Sequence, residues 1–318
     1  MYHFHSHFFP IFDKFYRIHA ECPFKRRSGH LVCEKYTSEI SILSGSDNFI
    51  IFHVANWLSD KKIVVIGGTT GLGLSAAAAF IREGARVVVL GRNSDSVHTA
   101  RQTLGPDALA RSGDATLPQV ANEAIAACVE TFGGFDGLYH VAGGSGRRQG
   151  DGPLHELSLD GWNYTLNLNL TSLMLSNQAA VRQFHRQGTG GSILNMGSVL
   201  GYSPSPTYFS THAYAAAKAA VIGFTKSIAA FYANDNIRVN VLAPALVETP
   251  MSQRASGDEL ILNFIKTKQP LDGGRNGRAS DLDGAAVYFM SDYSAFTTGQ
   301  ILSVDGGWSH AEGQIPKV

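Results

Sequence analysis

The stretch Ile63-Val-Val-Ile-Gly67-Gly-Thr-Thr-Gly71-Leu-Gly73 decides the fold of this chain. Its four β-branched residues predict a buried strand, and the Ala-rich run at residues 72–82 predicts a helix. Gly67 permits a tight turn between them, and Gly71 and Gly73 let the backbone approach a pyrophosphate. The helix N-terminus then presents free N–H groups and a positive dipole end to an anion. The stretch predicts a dinucleotide-binding turn made by Gly67, Thr69, Thr70, Gly71, Leu72 and Gly73.

From Lys61 onward the chain repeats this alternation of strand and helix. Apolar strands that alternate with helices indicate a parallel sheet covered on both faces. We predict an α/β domain with a single Rossmann-like, doubly wound, seven-stranded parallel sheet and helices on both faces. The predicted strands are residues 63–66, 86–90, 108–113, 137–142, 192–196, 237–242 and 300–304. The main predicted helices are residues 72–82, 118–131, 162–186, 212–233 and 280–291.

The composition narrows the class of protein. The 318 residues, 44% of them hydrophobic, suffice to bury a full core, and the formal net charge of zero points to no nucleic-acid partner. No apolar run reaches the roughly 18 residues that span a bilayer, so we expect no membrane partner. Cys22, Cys33 and Cys128 have neither metal nor redox spacing, and their odd number argues against a disulfide framework. We expect a soluble, cytoplasmic protein without a metal site.

A second motif, Tyr214-Ala-Ala-Ala-Lys218, places a phenol and an ammonium one helical turn apart on the same face. A nearby positive charge favours the phenolate and lowers the pKa of Tyr214 from about 10. Tyr214 is therefore a candidate general acid/base near neutral pH. The same spacing also occurs in ordinary solvated helix pairs, so the interpretation depends on the surrounding motifs.

The two motifs together resemble the short-chain dehydrogenase/reductase family, in its single-domain, 3-oxoacyl reductase-like branch, across roughly residues 58–308. The first turn has the spacing G-x-x-x-G-x-G of that family, and the later helix has its Y-x-x-x-K. Further matching stretches occur in the family's order: Asn167-Leu-Asn169-Leu-Thr, Met196-Gly-Ser198, Pro244-Ala-Leu-Val-Glu-Thr249 and Gly299-Gln-Ile-Leu-Ser-Val-Asp-Gly-Gly307.

The resemblance implies a role for each matching residue. Tyr214 would exchange the hydroxyl proton, while Lys218 would lower its pKa and hydrogen-bond the nicotinamide ribose. Ser198 would polarise the substrate carbonyl, and Asn169 would seat a water that connects Lys218 to solvent. The implied catalytic residues are Asn169, Ser198, Tyr214 and Lys218. The implied cofactor contacts beyond the glycine turn are Arg92, Asp114, Ala115, Ala142, Gly143, Tyr214, Lys218, Val247 and Thr249.

The chain departs from the family pattern at three places. His140-Val-Ala-Gly143 stands where the family has Asn-Asn-Ala-Gly, and the lost amide predicts weaker support at the centre of the sheet. Pro244-Ala245 replaces Pro-Gly, so that turn must avoid positive φ or bear a small strain. An insert at residues 202–209 is expected to bulge into the substrate mouth.

The cofactor preference is read from the end of the second strand, where NAD-binding folds typically carry an acidic residue. Gly91 occupies that position and Arg92 follows it. An acid would repel a 2′-phosphate, whereas Arg92 can pair with one, so NADP(H) is favoured and NAD(H) stays possible. The alternative is that Arg92 is an ordinary surface residue at a strand end.

The predicted function is an NAD(P)(H)-dependent oxidoreductase, a CH-OH dehydrogenase that interconverts a ketone and a secondary alcohol. An enoyl reductase, an epimerase, or a nucleotide-binding scaffold with little turnover is the alternative. Residues 251–270 either close over an apolar small-molecule substrate or pack on the core. Arg147 and Arg148 either bind an acidic group of the substrate or belong to a solvated loop. We expect a homo-oligomer, a tetramer or dimer, that pairs the helices at residues 162–186 and 212–233.

We divide the chain into residues 1–57, a poorly structured N-terminal extension, and residues 58–318, the NAD(P)-binding Rossmann-fold domain of the family. The extension is rich in aromatic residues and His without any periodicity, and it lacks the apolar core and cleavage site of a signal peptide. A metal-binding tract at His3, His5 and His7 and a transit peptide are the alternatives.

Overall fold

The computed structural model describes residues 56–314 and, before them, the backbone of four strands in the N-terminal unit, Met1–Asn56. These strands form two antiparallel pairs: β1 (Phe24–Arg27) with β2 (His30–Cys33), and β3 (Ile40–Gly45) with β4 (Asn48–His53). The rest of the predicted extension, including the His tract, lies outside the described residues. The division at residue 58 therefore stays a prediction.

The second unit, Trp57–Val318, contains one seven-stranded sheet in which all strands are parallel. The predicted α/β architecture is confirmed, and each predicted strand is present with its ends shifted by a few residues. The strands are β5 (Lys62–Ile66), β6 (Arg86–Gly91), β7 (Ala108–Ser112), β8 (Gly137–His140), β9 (Gly191–Met196), β10 (Ile237–Pro244) and β11 (Ile301–Val304). Their order across the sheet is β11-β10-β9-β8-β5-β6-β7.

The helices connect these strands. They are α1 (Gly71–Arg82), α2 (Ser94–Leu104), α3 (Val120–Phe132), α4 (Leu159–Leu166), α5 (Ser172–Gln187), α6 (His212–Phe231), α7 (Gln253–Ser256), α8 (Glu259–Lys268) and α9 (Asp283–Met290). The single helix predicted at residues 162–186 is α4 and α5, joined by a π-helical turn at Asn167–Thr171. Within the described residues, no helix is long and apolar enough to cross a membrane.

Both faces of the sheet are buried, as the continuous apolar strands predict. Successive side chains of β5 point to opposite faces. Ile63 and Val65 join the core beneath α1 and α9, whereas Val64 and Ile66 join the core beneath α3 and α5. Full burial of one such side chain contributes about 1.5–3 kcal/mol relative to leaving it exposed. Burial on two sides explains why the strand lacks a polar face.

The strand order reverses between β5 and β8. From β5 the chain adds β6 and β7 on one side, then crosses to add β8 and the remaining strands on the other. The loops that leave the carboxyl ends of β5 and β8 therefore diverge and open a crevice, the usual ligand position in such sheets. The residues predicted to hold the cofactor follow the carboxyl ends of β5, β8 and other strands of the sheet, whereas Asn169, Tyr214 and Lys218 lie on helical segments.

Candidate active site

Helix α6 carries Tyr214 and Lys218, and the structure brings their side chains together. The Lys218 Nζ lies 5.6 Å from the centroid of the Tyr214 ring and donates a hydrogen bond of 2.8 Å to the Met196 carbonyl at the end of β9. Lys218 is only 3% exposed. A buried ammonium needs such an acceptor, since an unpaired buried charge is strongly destabilising.

Burial controls the protonation of both groups. Desolvation lowers the pKa of Lys218 to about 8. Desolvation also raises the pKa of Tyr214, and the hydroxyl of Ser198 opposes this shift by hydrogen bonding the phenol. The sequence predicts that Lys218 lowers the pKa of Tyr214 from about 10. In the structure the pKa of Tyr214 is raised instead. The physical reason is that desolvation of the phenol is the larger effect, while the ammonium is bonded to Met196.

Ser198 follows the last residues of β9 and is buried. Its extended backbone begins the short turn Val199–Gly201, and its Oγ accepts the N–H of Leu200 at 3.2 Å. This bond uses the Oγ as an acceptor, so the hydroxyl proton points to the Tyr214 oxygen or to a substrate oxygen that takes its place. Ser198 therefore lies beside the Tyr214 hydroxyl with a donor available to a substrate oxygen.

Asn169 lies in the π-helical turn, a feature that often marks a functional site. Its Oδ1 accepts the Gly144 N–H at 3.0 Å, and its Nδ2 donates to the carbonyls of Gly144 and Thr165 at 2.8 and 2.9 Å. Both amide hydrogens are thus used within the protein. The side chain fixes the loop after β8, where a Cβ on Gly143 would lie 3.5 Å from the Lys218 Nζ. Any water bound at Asn169 must therefore donate a hydrogen bond to one of its oxygen atoms, because both amide hydrogens are already used.

His140 replaces the missing family amide at the centre of the sheet. It is fully buried, with Nδ1 2.7 Å from the Ser176 Oγ and Nε2 3.1 Å from the Ala142 carbonyl. Because a carbonyl only accepts, Nε2 carries the proton and Nδ1 accepts from Ser176. The expected loss of support at this position is therefore wrong, since the imidazole hydrogen-bonds Ser176 on α5 and the Ala142 carbonyl in the loop after β8.

Burial, followed by the charge of Lys218, lowers the pKa of His140 to about 3, so we expect His140 to weaken the protein in acid. Between about pH 6.5 and pH 3 the unfolded chain binds a proton that the folded protein does not, so the free energy of unfolding falls as the pH decreases through this window. His140→Asn should flatten this decline, measured as urea midpoints at several pH values. Equal declines in both proteins would contradict the neutral, buried imidazole.

The glycine turn forms a cradle at the crevice. Gly67 has φ +85°, and a Cβ there would lie 2.6 Å from the Ala142 backbone nitrogen, while a Cβ on Gly73 would overlap the Gly67 carbonyl oxygen. Thr70, at the N-cap of α1, makes no side-chain capping hydrogen bond. The first-turn N–H groups of α1 are therefore left for an external acceptor, and the bare backbone fits a pyrophosphate.

The loops after β6 and β7 carry the residues that the sequence predicts to contact the adenosine part of the cofactor. Arg92 is exposed, and Asp114 accepts the backbone N–H and the hydroxyl of Thr116 at 2.9 and 2.8 Å. The backbone bond from Thr116 is the main cause that lowers the pKa of Asp114, and the charge of Arg92 acts in the same direction. Ala115 is buried beside them. Asp114 is thus held as a carboxylate within the field of Arg92.

Gly91 cannot simply be exchanged for the acid of an NAD-binding fold. A Cβ at this position would overlap the Oγ1 of Thr69, which lies 3.1 Å from the Ser96 Oγ. Thr69 therefore occupies the space that an acidic side chain needs, and it presents a hydroxyl there together with Ser96.

The stretch after β10 meets the glycine turn from the opposite side. The Cβ of Thr249 lies 3.5 Å from the position of a Cβ on Gly71, and Val247 is buried beside it. Ala245 does not have a positive φ. The turn therefore avoids the backbone strain that was one of the two outcomes expected when Ala replaces Gly at this position. The predicted cofactor contacts from β5, β8 and β10 thus lie around one crevice.

Two buried polar side chains were missed by the sequence analysis. Gln269 accepts the Leu246 N–H at 2.9 Å and donates to its carbonyl at 3.2 Å, which holds the stretch after β10. Asp151 accepts the backbone N–H groups of Ala213 and Tyr214. Neither belongs to a motif, and no local signal in the sequence connects them to their partners.

The apolar face of α8 packs against the protein. Ile261, Phe264 and Ile265 are buried in one cluster with Val199, Leu246 and Trp308. The insert packs on the same cluster, with ring centroids 5.2 Å apart between Tyr208 and Phe264. Of the two alternatives for residues 251–270, the structure therefore has packing on the core. In the insert, Tyr208 and Phe209 pack on the same cluster, whereas Tyr202 is exposed.

Among residues whose side chains the structure describes, no group of His, Cys, Asp and Glu is arranged to hold a metal ion. Cys128 is buried with a free thiol, and desolvation raises its pKa to about 12. This thiol is therefore protonated and unreactive at neutral pH.

Comparisons with known proteins agree with this geometry. A family model described as enoyl-(acyl carrier protein) reductase matches residues 67–309. The chain is 34% identical over 259 residues to 2,5-dichloro-2,5-cyclohexadiene-1,4-diol dehydrogenase LinX of Sphingobium indicum, covering 80% of this chain and 99% of the relative. It is 33% identical over 251 residues to 3-oxoacyl-(acyl-carrier-protein) reductase FabG of Chlamydia trachomatis serovar D, covering 79% and 98%. A short-chain type dehydrogenase/reductase from Mycobacterium ulcerans superposes with a TM-score of 0.74 at 29% identity, covering 80% and 92%.

Proposed function

The chain belongs to the short-chain dehydrogenase/reductase family and is an NAD(P)-dependent oxidoreductase, and we propose that it interconverts a ketone and a secondary alcohol with Tyr214 as the acid/base. The observation that carries the proposal is the placement of Tyr214 between Ser198 and Lys218, at the crevice where the glycine turn lies. A pure nucleotide-binding scaffold has no need of these three groups together.

A nicotinamide cofactor held in this cradle would supply or accept the hydride. In the reducing direction Ser198 donates a hydrogen bond to the carbonyl oxygen, and the Tyr214 phenol transfers its proton to that oxygen as charge develops there. Because burial raises the pKa of Tyr214, the phenol is protonated at neutral pH and ready to act as the acid. Lys218, with a pKa of about 8, is able to return a proton to the phenolate near neutral pH.

The cofactor contacts follow from the cradle and its neighbours. The bare backbone of Gly67 and Gly73 leaves room for the pyrophosphate beside the first turn of α1. Asp114 and Ala115 would face the adenine, and Val247 and Thr249 would face the nicotinamide. These assignments rest on the position of each residue around one crevice and on the family resemblance.

NADP(H) is the proposed cofactor because Arg92 and the hydroxyl of Thr69 lie where an acidic residue would reject a 2′-phosphate. Arg92→Ala should raise the KM for NADPH by about 10-fold, the loss of one charge-assisted hydrogen bond, and leave the KM for NADH unchanged. Arg182→Ala, an exposed change on α5, is the control. Equal effects on both cofactors would contradict a phosphate contact by Arg92.

An enoyl reductase is the second candidate, because the matching family model carries that description. The two relatives act, by their names, on a cyclic diol and on a 3-oxoacyl group. Product analysis separates the candidates: a ketone reductase forms an alcohol, whereas an enoyl reductase forms a saturated carbonyl compound. Conversion of a 2-enoyl thioester without conversion of any 3-oxo thioester would reverse our order.

The substrate class we propose is a partly apolar ketone or alcohol of medium size, such as a 3-oxoacyl group or a cyclic ketone. The aromatic and aliphatic cluster formed by α8 and the insert lies along the stretch after β10, through Leu246. NADPH oxidation over a panel of 3-oxoacyl thioesters and cyclic ketones tests this proposal. Turnover of small polar ketones alone would contradict it.

We also propose that the protein is a homo-oligomer built on α5 and α6. Phe231, at the end of α6, is 75% exposed although it is large and apolar. Size-exclusion chromatography with light scattering measures the mass directly, and a monomer at all concentrations would refute the proposal.

A further inference from the structure

The helix that carries Tyr214 does not cap itself. Thr211 stands at its N-cap but makes no side-chain capping hydrogen bond, and the first turn of α6 contains no acidic residue. A helix N-terminus leaves four N–H groups without helical partners, and each needs an acceptor when it is buried. The acceptors for two of them come from elsewhere in the chain.

Asp151, in the loop after β8, supplies these acceptors. Its Oδ1 accepts the Ala213 N–H at 3.0 Å, and its Oδ2 accepts the Tyr214 N–H at 3.0 Å. The side chain is buried, at 2% exposure, and its own N–H donates to the Gly146 carbonyl at 3.1 Å. Both carboxylate oxygens are therefore committed to the first turn of α6, from a loop that is itself held in place.

The charge of Asp151 is compensated by its surroundings. A carboxylate at a helix N-terminus is stabilised by the positive end of the helix dipole as well as by the N–H groups. Burial and the charge of Arg254 lower the pKa of Arg147, and Asp151 opposes that shift, so its negative charge also acts on the neighbouring guanidinium. A buried carboxylate with these partners is stable where an unpaired one would not be.

We propose that Asp151 is a positioning residue for Tyr214, which it holds in register with Ser198 and Lys218. Two hydrogen bonds to consecutive N–H groups fix how the first turn of α6 is rotated and how far it extends. A displacement of about 1 Å at a reacting group costs on the order of 100-fold in rate. The inference rests on the proposed function of Tyr214.

The test is Asp151→Asn, which keeps the size of the side chain but removes its charge and one of its two acceptors. We expect kcat to fall by about 10- to 100-fold while the KM for NADPH stays within about twofold. A merely structural cap would not alter the titration of Tyr214. Removal of the negative charge should lower the pKa of Tyr214.

The pKa of Tyr214 is measured without cofactor, as the tyrosinate absorbance of the protein minus that of its Tyr214→Phe counterpart, in the wild-type and Asp151→Asn backgrounds. The other charged or titratable groups near the site are the same in both backgrounds: Lys218 beside the ring, His140 near Lys218, and Arg147 and Arg254 near Asp151. A difference between the two titrations therefore belongs to Asp151.

Asp136→Asn is the matched control, since the Asp136 carboxylate also accepts a backbone N–H, that of Lys62 at 2.8 Å. It lies beside the amino ends of β5 and β8, away from the crevice. We expect it to lower stability without changing kcat or the titration of Tyr214. If Asp151→Asn behaved like Asp136→Asn in both measurements, the proposal would be overturned.

Hydrogen exchange in the wild-type protein decides the question if Asp151→Asn does not fold. We expect the Tyr214 amide to exchange more slowly than the first-turn amides of α1, whose N-cap makes no side-chain bond. Equally fast exchange would overturn the proposal. Activity in Tyr214→Phe would refute the proposed function itself, whereas an inactive Tyr214→Phe beside a normal Asp151→Asn would refute the role of Asp151 alone.

Discussion

Replacement of Tyr214 by Phe should reduce kcat for ketone reduction by about 100- to 10,000-fold, the usual contribution of a positioned acid. The change removes only the hydroxyl that Ser198 contacts and leaves the ring beside Lys218. NADPH oxidation with a ketone substrate measures the loss. Because the ring remains, the dissociation constant for NADPH should change by less than about twofold.

Tyr288→Phe is the matched control for this experiment. Its hydroxyl lies 3.0 Å from the Thr297 Oγ1 and is likewise partly buried, but it sits on α9, outside the crevice. We expect it to keep full activity. Should Tyr214→Phe retain wild-type turnover, another group must be the acid; if neither protein nor variant turns over any ketone while NADPH still binds, the scaffold interpretation holds.

Lys218→Met should lower kcat/KM by about 100-fold or more at every pH. The variant loses a charge-assisted hydrogen bond toward the cofactor ribose, worth roughly 1.5–3 kcal/mol, and the means to return a proton to Tyr214. It also leaves the Met196 carbonyl without its donor. Steady-state kinetics from neutral to alkaline pH measure the loss. Lys226→Met, at an exposed position of the same helix, should have little effect.

The same variant should also change how stability depends on pH. The folded pKa of Lys218, about 8, lies below its unfolded value of 10.5, so from pH 8 upward the unfolded chain binds the extra proton. The wild-type free energy of unfolding therefore rises between about pH 8 and pH 10 from this residue, and Lys218→Met should lack that rise. Urea midpoints at the two pH values give the comparison. Identical changes in both proteins would show that the ammonium is not desolvated in the folded state.

Most of the fold is predictable because its signals are local. The run Ile63–Ile66 is apolar and β-branched at every position, which is typical of a strand buried on both faces. The glycine spacing of the first turn likewise depends on backbone that is close in sequence. The ends of elements are less predictable, as at residues 162–186, where the π-helical turn divides one expected helix. That turn places Asn169 against Gly144, which is distant in the chain.

The candidate site likewise has some features that are set by local sequence and others that depend on tertiary packing. The sequence alone determines that Tyr214 and Lys218 share a face, because a spacing of four residues on a helix does so in any surroundings. Only the tertiary structure decides that burial raises the pKa of one and lowers that of the other, since desolvation depends on what packs around them.

Tertiary contacts also decide which residues support the site. His140 takes over the support of a lost amide because Ser176 of α5 lies against it. Asp151 caps a helix more than sixty positions away in the chain. Such pairings form because the loops that follow the parallel strands lie together at the carboxyl edge of the sheet. No local sequence pattern predicts them. The motifs indicate the class of reaction without any tertiary information, whereas packing sets the protonation, orientation and support of the groups that carry it out.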